Sequence, residues 1–369
     1  MKILYVTTIG GMMGFFESLI EKLISDGDII DIATNEIGSP VPEFYREHGC
    51  RIYHIDSSRS PFNIGNIKAI RQIQRLVENN SYDIVHCHSP LASASTRIAC
   101  KRLRKKGKVR VIYTAHGFHF YKGAPLKNWL LFYPIEKLCS YYTDDLIVIN
   151  KEDYELARNK MKAKRVEYVP GVGIDVAKFA GTVVDRKAKR KELDIPEDAF
   201  MLLSVGELNE NKNHRVVVEA LSLLKDSGIH YVIAGTGVEK DNLQKLAVKL
   251  GVNLHLLGFR NDIAELDKVA DCFILPSIRE GLNVSIMEAM ACGKPVICSR
   301  IRGNIDIVDE NGGGLFSSSS VEECVEVLKK MLECNRKQLG EYNARKATKF
   351  SFEKINGQMK VVYQNQLER

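Results

Sequence analysis

Short, continuous runs of Val, Ile and other apolar residues recur along this chain, and stretches with helical spacing of apolar residues separate them. This alternation constrains the fold most. In the first half such runs lie at 2–8, 29–34, 82–87, 110–115 and 145–149. Strands that are apolar on both faces are typical of parallel sheets covered by helices on both sides. The pattern therefore predicts βαβ units and a doubly wound α/β domain.

The alternation stops around Pro170–Gly173 and then starts again. After a basic polar segment at 185–191, new apolar runs lie at 200–205, 231–234, 254–257, 272–275 and 295–298. A chain of 369 residues also fits two domains of ordinary size. We therefore predict a first doubly wound domain at 1–170, a second at 171–349, and a C-terminal helix at 350–369 that packs back toward the first. We expect the two domains to face a central cleft, because ligands of such sheets bind beyond the carboxyl ends of the strands.

The composition is that of a globular enzyme, with 45% hydrophobic and 27% charged residues. The nine cysteines form no CxxC pair, and the apolar residues after Lys2 are cut at Thr7, too early for a signal sequence. These features predict a cytoplasmic protein. Seven Lys and Arg residues lie within 101–110. Such a run is either a solvated helix end or a surface for anionic lipid or nucleic acid.

The most specific motif is PSIREGLNVSIMEAMACGKPVI, which starts at Pro276, directly after a predicted strand, and opens a helix. Backbone N–H groups at the start of a helix, together with its dipole, bind anions. We therefore predict a phosphate site at the N–H groups of Leu282, Asn283 and Val284. Gly281 lets the backbone approach the phosphate. Two carboxylates, Glu280 and Glu288, flank this turn.

This stretch resembles the Glu-x7-Glu signature of the family 4 retaining glycosyltransferases, which have the GT-B fold. The overall motif order is similar to bacterial enzymes that build capsular or exopolysaccharide repeat units. The resemblance implies a first domain that binds the acceptor and a second that binds the nucleotide sugar. It implies that Glu280 lies beside the donor sugar and that Glu288 binds the ribose.

A second element, Val205–His214, also runs from a strand into a helix. Lys212 can bind a diphosphate as a point charge, and Gly206 leaves room for it. The family more often has Arg directly after this glycine, whereas this chain has Glu207. We expect Glu207 to turn toward sugar hydroxyls or the acceptor, which makes Lys212 more critical.

Further candidates follow other strands. The resemblance places His116 beside the donor sugar, and we predict His116 and Glu280 as the catalytic residues. Weaker candidates for the donor or nucleotide site are Gly10, Gly11, Gly235, Thr236, Gly237 and Arg260. The pair His86 and His88 lacks an obvious third ligand, so we predict no metal site. No cofactor is expected.

The resemblance implies a front-face reaction, in which the leaving diphosphate takes the proton of the acceptor. Three alternatives remain open: a nucleotide-sugar epimerase on the same scaffold, a nicotinamide-dependent enzyme, and a non-catalytic sugar-nucleotide sensor. A Gly-x-Gly-x-x-Gly fingerprint would favour the nicotinamide enzyme, and the spacing of Gly10, Gly11 and Gly14 does not match it.

The expected partners are a UDP-sugar donor, with GDP left open, and a glycan or lipid-linked acceptor. No nucleic acid is expected. The apolar stretch from Phe118 through Trp129 to Tyr133, with the basic run at 101–110, indicates peripheral contact with an anionic membrane at its inner face. The other interpretation of this stretch is a core helix of the first domain.

Overall fold

The computed structural model describes residues 1–60 and 63–365. It divides into an N-terminal unit, Met1–Val172 with the chain from Ile355 onward, and a C-terminal unit, Gly173–Lys354. The predicted boundary after residue 170 lies close to this division. Residues 366–369 of the predicted C-terminal helix lie outside the described residues.

The N-terminal unit is built on a seven-stranded sheet whose paired strands are all parallel, in the order β3-β2-β1-β4-β5-β6-β7. Its strands are β1 Lys2–Val6, β2 Ile29–Thr34, β3 Arg51–His54, β4 Ile84–His88, β5 Arg110–Ala115, β6 Asp145–Val148 and β7 Arg165–Tyr168. The central strands β1, β4 and β5 carry Val, Ile, Leu and Tyr on both faces, and these side chains form the core with the covering helices.

The C-terminal unit contains a six-stranded parallel sheet in the order β10-β9-β8-β11-β12-β13. Its strands are β8 Phe200–Val205, β9 Ile229–Ala234, β10 Asn253–Gly258, β11 Cys272–Leu275, β12 Val296–Ser299 and β13 Gly313–Phe316. Two apolar clusters, one on each face of this sheet, form its core. Both units are therefore doubly wound α/β folds, as predicted.

Helices fill the connections between the strands. In the N-terminal unit they are α1 Glu17–Ser25, α2 Phe44–Glu47, α3 Gly65–Asn80, α4 Pro90–Lys105, α5 Leu126–Ser140 and α6 Lys151–Lys160. In the C-terminal unit they are α7 Val176–Gly181, α8 Arg186–Glu192, α9 His214–Leu224, α10 Lys240–Leu250, α11 Ile263–Val269, α12 Val284–Ala291, α13 Asn304–Ile307, α14 Val321–Glu333 and α15 Arg336–Ala347. Short 3-10 helices lie at Gly10–Phe15 and Thr348–Phe350. No helix among the described residues is both long and apolar enough to cross a membrane.

The last helix, α16 Phe352–Gln364, belongs to the N-terminal unit from Ile355 onward. Its apolar face joins the core formed by β1 and α1. The guanidinium of Arg110 donates to the carbonyls of Val362 (2.6 Å) and Tyr363 (2.9 Å), which satisfies groups that a helix end leaves open. The Tyr363 hydroxyl lies 2.7 Å from Nδ1 of His86. The end of α16 is thereby fixed to the N-terminal sheet.

Candidate functional site

Two loops at the carboxyl edge of the C-terminal sheet carry most of the predicted site. Strands β8 and β11 are neighbours, so the loops that follow them, 206–213 and 276–283, lie side by side. Asn211 joins the loops, because its carbonyl accepts from the N–H of Ile278 (2.8 Å) and its side chain donates to the carbonyl of Arg279 (3.0 Å). Asn213 donates to the carbonyl of Pro276 (3.3 Å). The sequence analysis missed both asparagines, although their position beside Lys212 was the available signal.

Lys212 and Glu280, one from each loop, form an ion pair with 2.6 Å between Nζ and Oε1. Both side chains are only slightly exposed. The structure thus brings together the predicted phosphate-binding cation and the predicted sugar-binding carboxylate. A charge-assisted hydrogen bond of this length orients both groups.

Helix α12 begins at Val284, and Asn283 is its N-cap, with its side chain accepting from the N–H of Ile286 (3.1 Å). The N–H groups of Leu282, Asn283 and Val284 donate no hydrogen bond to a described residue. These donors, at the positive end of the helix, form the arrangement that binds phosphate in other α/β folds.

Glu288 lies one turn into α12, half-buried, and no described residue donates a hydrogen bond or forms an ion pair with its carboxylate. Burial raises the pKa of Glu288 to about 7, and the charge of Lys178 offsets this rise only in part. Burying a carboxylate without a partner costs free energy. Such a group is suited to accept hydrogen bonds from a ligand.

Glycines allow the backbone segments of this site to approach each other. A Cβ on Gly235 would lie 1.8 Å from the carbonyl oxygen of Gly206, and one on Gly303 would lie 2.2 Å from that of Gly281. The carbonyl of Thr236 accepts from the N–H of Leu208 at 2.8 Å. Predicted residues Gly235 and Thr236, together with Gly237, therefore lie beside the loop after β8. The close approach of Gly303 to Gly281 was not predicted from the sequence.

Two predicted residues of the C-terminal unit have other partners. The guanidinium of Arg260 pairs with Asp262 and with Glu192 (2.8 Å), and none of its described contacts is with another predicted site residue. The carboxylate of Glu207 is exposed and accepts from the side chain of Asn209 at 2.9 Å. The roles predicted for Arg260 and Glu207 stay predictions.

His116 lies in the N-terminal unit, directly after β5. Its Nε2 is 3.1 Å from Nδ1 of His88, and the ring of His88 lies 4.1 Å from that of His86, measured between centroids. Burial lowers the pKa of His116 to about 4, so its imidazole is neutral near pH 7. Among the described residues no cluster of His, Cys, Asp and Glu is arranged to hold a metal ion.

Gly10 and Gly11 lie in the N-terminal unit, in the 3-10 helix after β1. A Cβ on Gly10 would lie 2.5 Å from the carbonyl oxygen of Ser39, and the N–H of Gly11 donates to the Ser39 hydroxyl at 3.1 Å. Their described contacts are therefore with the loop after β2. A role in donor binding stays a prediction for both glycines.

The C-terminal site combines a cation, free helix N–H groups and two carboxylates at the carboxyl edge of a doubly wound sheet. Such groups can bind the phosphate and hydroxyl groups of a ligand. Two doubly wound units in one chain are also the architecture of the GT-B class. The chain resembles solved structures of this class. With the structure of Anabaena Alr3699/HepE in complex with UDP and glucose it has a TM-score of 0.81 at 17% identity, covering 99% of this chain and 100% of that one.

The sequence comparisons agree with this class. Residues 185–346 match the family "Glycosyl transferases group 1", and residues 2–150 match "Glycosyl transferase 4-like". The chain is 38% identical to glycosyltransferase EpsD of Bacillus subtilis over 84% of each chain. It is 30% identical to the UDP-Gal:alpha-D-GlcNAc-diphosphoundecaprenol alpha-1,3-galactosyltransferase of Escherichia coli, over 72% of this chain and 70% of that one.

The chain therefore belongs to the group 1 glycosyltransferases, with the family 4 relationship and GT-B fold that the sequence analysis predicted. This membership leaves the epimerase alternative without support.

Proposed function

We propose that this protein transfers a sugar from a UDP-sugar, with retention of anomeric configuration, to a glycan or lipid-linked acceptor in surface polysaccharide synthesis. The observation that carries the proposal is the site around α12 in the C-terminal unit. There Lys212 and the free N–H groups supply positive charge, and Glu288 supplies an unpaired carboxylate.

The chemical class of the donor is inferred from what each group of the site can bind. The diphosphate is bound by Lys212 and the N–H groups of Leu282, Asn283 and Val284, and the ribose hydroxyls donate to Glu288. UDP is proposed as the nucleotide because a structure of similar fold binds UDP and a relative is named for UDP-Gal. Because protein groups supply the positive charge, the proposed reaction needs no metal ion.

The proposed mechanism is a front-face displacement. The bond between the anomeric carbon and the diphosphate oxygen breaks while the acceptor hydroxyl oxygen bonds to the same face. The hydroxyl proton passes to the leaving diphosphate. The positive groups stabilise the charge that develops on this leaving group. Glu280 and His116 are the proposed catalytic residues, which orient the sugar through its hydroxyls.

Lys212 has two roles in this proposal. Without donor it pairs with Glu280. When a diphosphate binds, Lys212 neutralises the phosphate, and Glu280 becomes available to accept a hydrogen bond from the sugar. Binding of the donor diphosphate therefore frees the carboxylate of Glu280 to bind the donor sugar.

The acceptor is proposed to be lipid-linked, with the enzyme at the cytoplasmic side of an anionic membrane. Two relatives are named for acceptors that carry diphosphoundecaprenol or diphospho-undecaprenol. This proposal gives the basic run at 101–110 a function at the membrane surface.

The test is a transfer assay with chelator, in which the protein is incubated with UDP-glucose, UDP-galactose, their N-acetylamino forms or GDP-mannose, and with an extract of bacterial lipid-linked saccharides. Release of UDP and an α-linked product from an α-linked donor are expected. Loss of release in Glu280→Ala, with the purified protein still folded, supports the assigned role. A β-linked product would refute retention, and activity that needs added metal would refute metal independence.

A further inference from the structure

Helix α5 presents an apolar face to solvent. Its outward positions follow helical spacing and are almost all aliphatic or aromatic, with Leu130 70% exposed and Leu138 58% exposed. The outward apolar residues are Leu126, Leu130, Leu131, Pro134, Ile135, Leu138 and Tyr141 at the helix end. Lys127 is the charged residue on this exposed face. We call this set the α5 apolar face.

The inward side of α5 carries both its one acidic residue and its aromatic residues. Glu136 is buried and pairs with the buried Arg97 at 2.8 Å, and its other oxygen accepts from the hydroxyl of Tyr113 at 3.2 Å. Trp129 and its aromatic neighbours pack into the core. An ordinary surface helix has polar or charged residues on its outward face. The apolar outward face of α5 therefore indicates a surface that is used in binding.

The aromatic residues of the predicted membrane stretch are therefore not the exposed ones. Phe118 and Phe120 are buried, and Phe132 and Tyr133 pack against the same core. The interpretation as a core helix is correct for these aromatics. The aliphatic residues of the same helix form the surface.

The segment of sequence that leads into α5 carries only positive charges. Between Asp83 and Glu136 the sequence contains no Asp or Glu. Five exposed cations at the end of α4 and in the turn after it form no ion pair with described residues: Lys101, Arg102, Lys105, Lys106 and Lys108. Arg104 joins them to the α5 apolar face, because its guanidinium donates to the carbonyl of Tyr141 at 3.1 Å.

We infer that the α5 apolar face and the adjoining cations form a docking surface for an anionic lipid bilayer. The leucines lie at the level of the headgroups and upper acyl chains, and the cations contact anionic headgroups. This inference rests on the proposed function only for the location of the acceptor at a membrane. It identifies the surface of the protein that contacts that membrane.

A bilayer fits these observations better than a protein partner does. Protein interfaces are depleted in Lys and enriched in aromatic residues. Here the flanking charges are all positive over a long stretch of sequence, and the apolar residues are aliphatic side chains along one helix. An interfacial helix with Leu on one side and flanking Lys or Arg matches this composition.

The test is co-sedimentation of the full-length protein with phosphatidylcholine vesicles that contain about one quarter phosphatidylglycerol, without nucleotide or acceptor. Lys105→Glu with Lys106→Glu is expected to weaken binding about 30-fold, because each cation near such a surface contributes ~1 kcal/mol. The matched control is Lys245→Glu with Lys249→Glu on α10 in the C-terminal unit. Both pairs change the net charge equally, from +7 to 7 − 4 = +3.

The contribution of the α5 apolar face is tested by a second pair of substitutions. Leu130→Ser with Leu138→Ser is expected to weaken vesicle binding about tenfold or more, while Leu223→Ser with Val248→Ser, equally exposed in the C-terminal unit, leaves it unchanged. Equal binding by the first pair and its control would overturn the inference. So would a wild-type dimer in solution that Leu130→Ser with Leu138→Ser dissociates, since a second copy would then occupy the face. UDP binding by the same preparations separates loss of docking from failure of the proposed function.

Discussion

Replacing Glu288 by Gln tests whether this carboxylate is held in the fold for ligand binding. The carboxylate is half-buried and unpaired, and burial raises its pKa from 4.5 to about 7. An unpaired, ionised group of this kind destabilises the free protein. We therefore expect Glu288→Gln to be more stable than the wild type at pH 8.

The sign and size of this change in stability follow from the pKa of Glu288. A carboxyl whose pKa is higher in the folded state binds its proton more tightly there. The stability it contributes is present below pH 4.5 and is lost as the pH rises to about 7. A shift of this size corresponds to about 3 kcal/mol at full burial. Because the side chain of Glu288 is partly exposed, we take ~2 kcal/mol as the difference at pH 8.

The assay is thermal unfolding of wild type and Glu288→Gln between pH 5 and 8, without nucleotide. For a domain of this size the expected rise in melting temperature at pH 8 is about 4–8 °C, shrinking toward zero at pH 5. Glu280→Gln is the matched control. It removes the partner of Lys212, so it is expected to lower the melting temperature slightly at pH 8.

Two results would refute this reasoning. Equal melting temperatures of wild type and Glu288→Gln across the whole pH range would mean that the carboxylate is well solvated. A lower melting temperature of Glu288→Gln at pH 8 would mean that the carboxylate has stabilising partners. In either case Glu288 is not a site held ready for ribose.

Three further predictions concern the two units. Lys212→Met should weaken UDP binding by about 10- to 100-fold but leave uridine binding unchanged, because the proposed contact of this lysine with the ligand is to the phosphates. Equal losses of affinity for both ligands, measured by calorimetry, would contradict this. Gly235→Ala should lower the melting temperature and UDP affinity together, since its Cβ would lie 1.8 Å from the Gly206 carbonyl oxygen; a wild-type melting curve would show that the loops shift freely. Arg97→Met should cost about 3–5 kcal/mol by leaving Glu136 charged and buried. Adding Glu136→Leu should recover much of that loss in urea unfolding, and a double variant no more stable than the single would refute this account.

The sequence predicted the inner strands of both sheets but not every edge strand. Strands β3, β7 and β13, all at sheet edges, were missed. Strand β7, Arg165–Tyr168, alternates polar and apolar residues and is only half-buried. An edge strand has a partner on one side only and needs no continuous apolar run. The edge strand β10 was predicted because three of the four residues at 254–257 are Leu.

In the candidate site, the sequence identified residues by type and position but not by contact. Two separate motifs predicted Lys212 and Glu280 as donor-binding residues, and the structure adds their direct ion pair. The contacts of Asn211 and Gly303 depend on two loops that are distant in sequence. Such contacts follow from the order of strands in the sheet, which local patterns do not determine.

The sequence predicted membrane contact for part of α5, but not which of its side chains are exposed. The helix has little periodic contrast between apolar and polar residues, because Leu and aromatic residues surround it. Glu136 is its one acid and would be assigned to the solvent side by a simple pattern. Its burial depends on Arg97, which lies on α4.

The most direct test of the donor site is calorimetric titration of UDP and GDP into wild type, Glu288→Ala and Glu326→Ala, with chelator present. Glu326 is an exposed acid on α14 and serves as the control. The account predicts that wild type and Glu326→Ala bind UDP more tightly than GDP, and that Glu288→Ala loses this binding at least tenfold. Failure of the wild type to bind either nucleotide, or binding that is indifferent to Glu288, would contradict the assignment of the site.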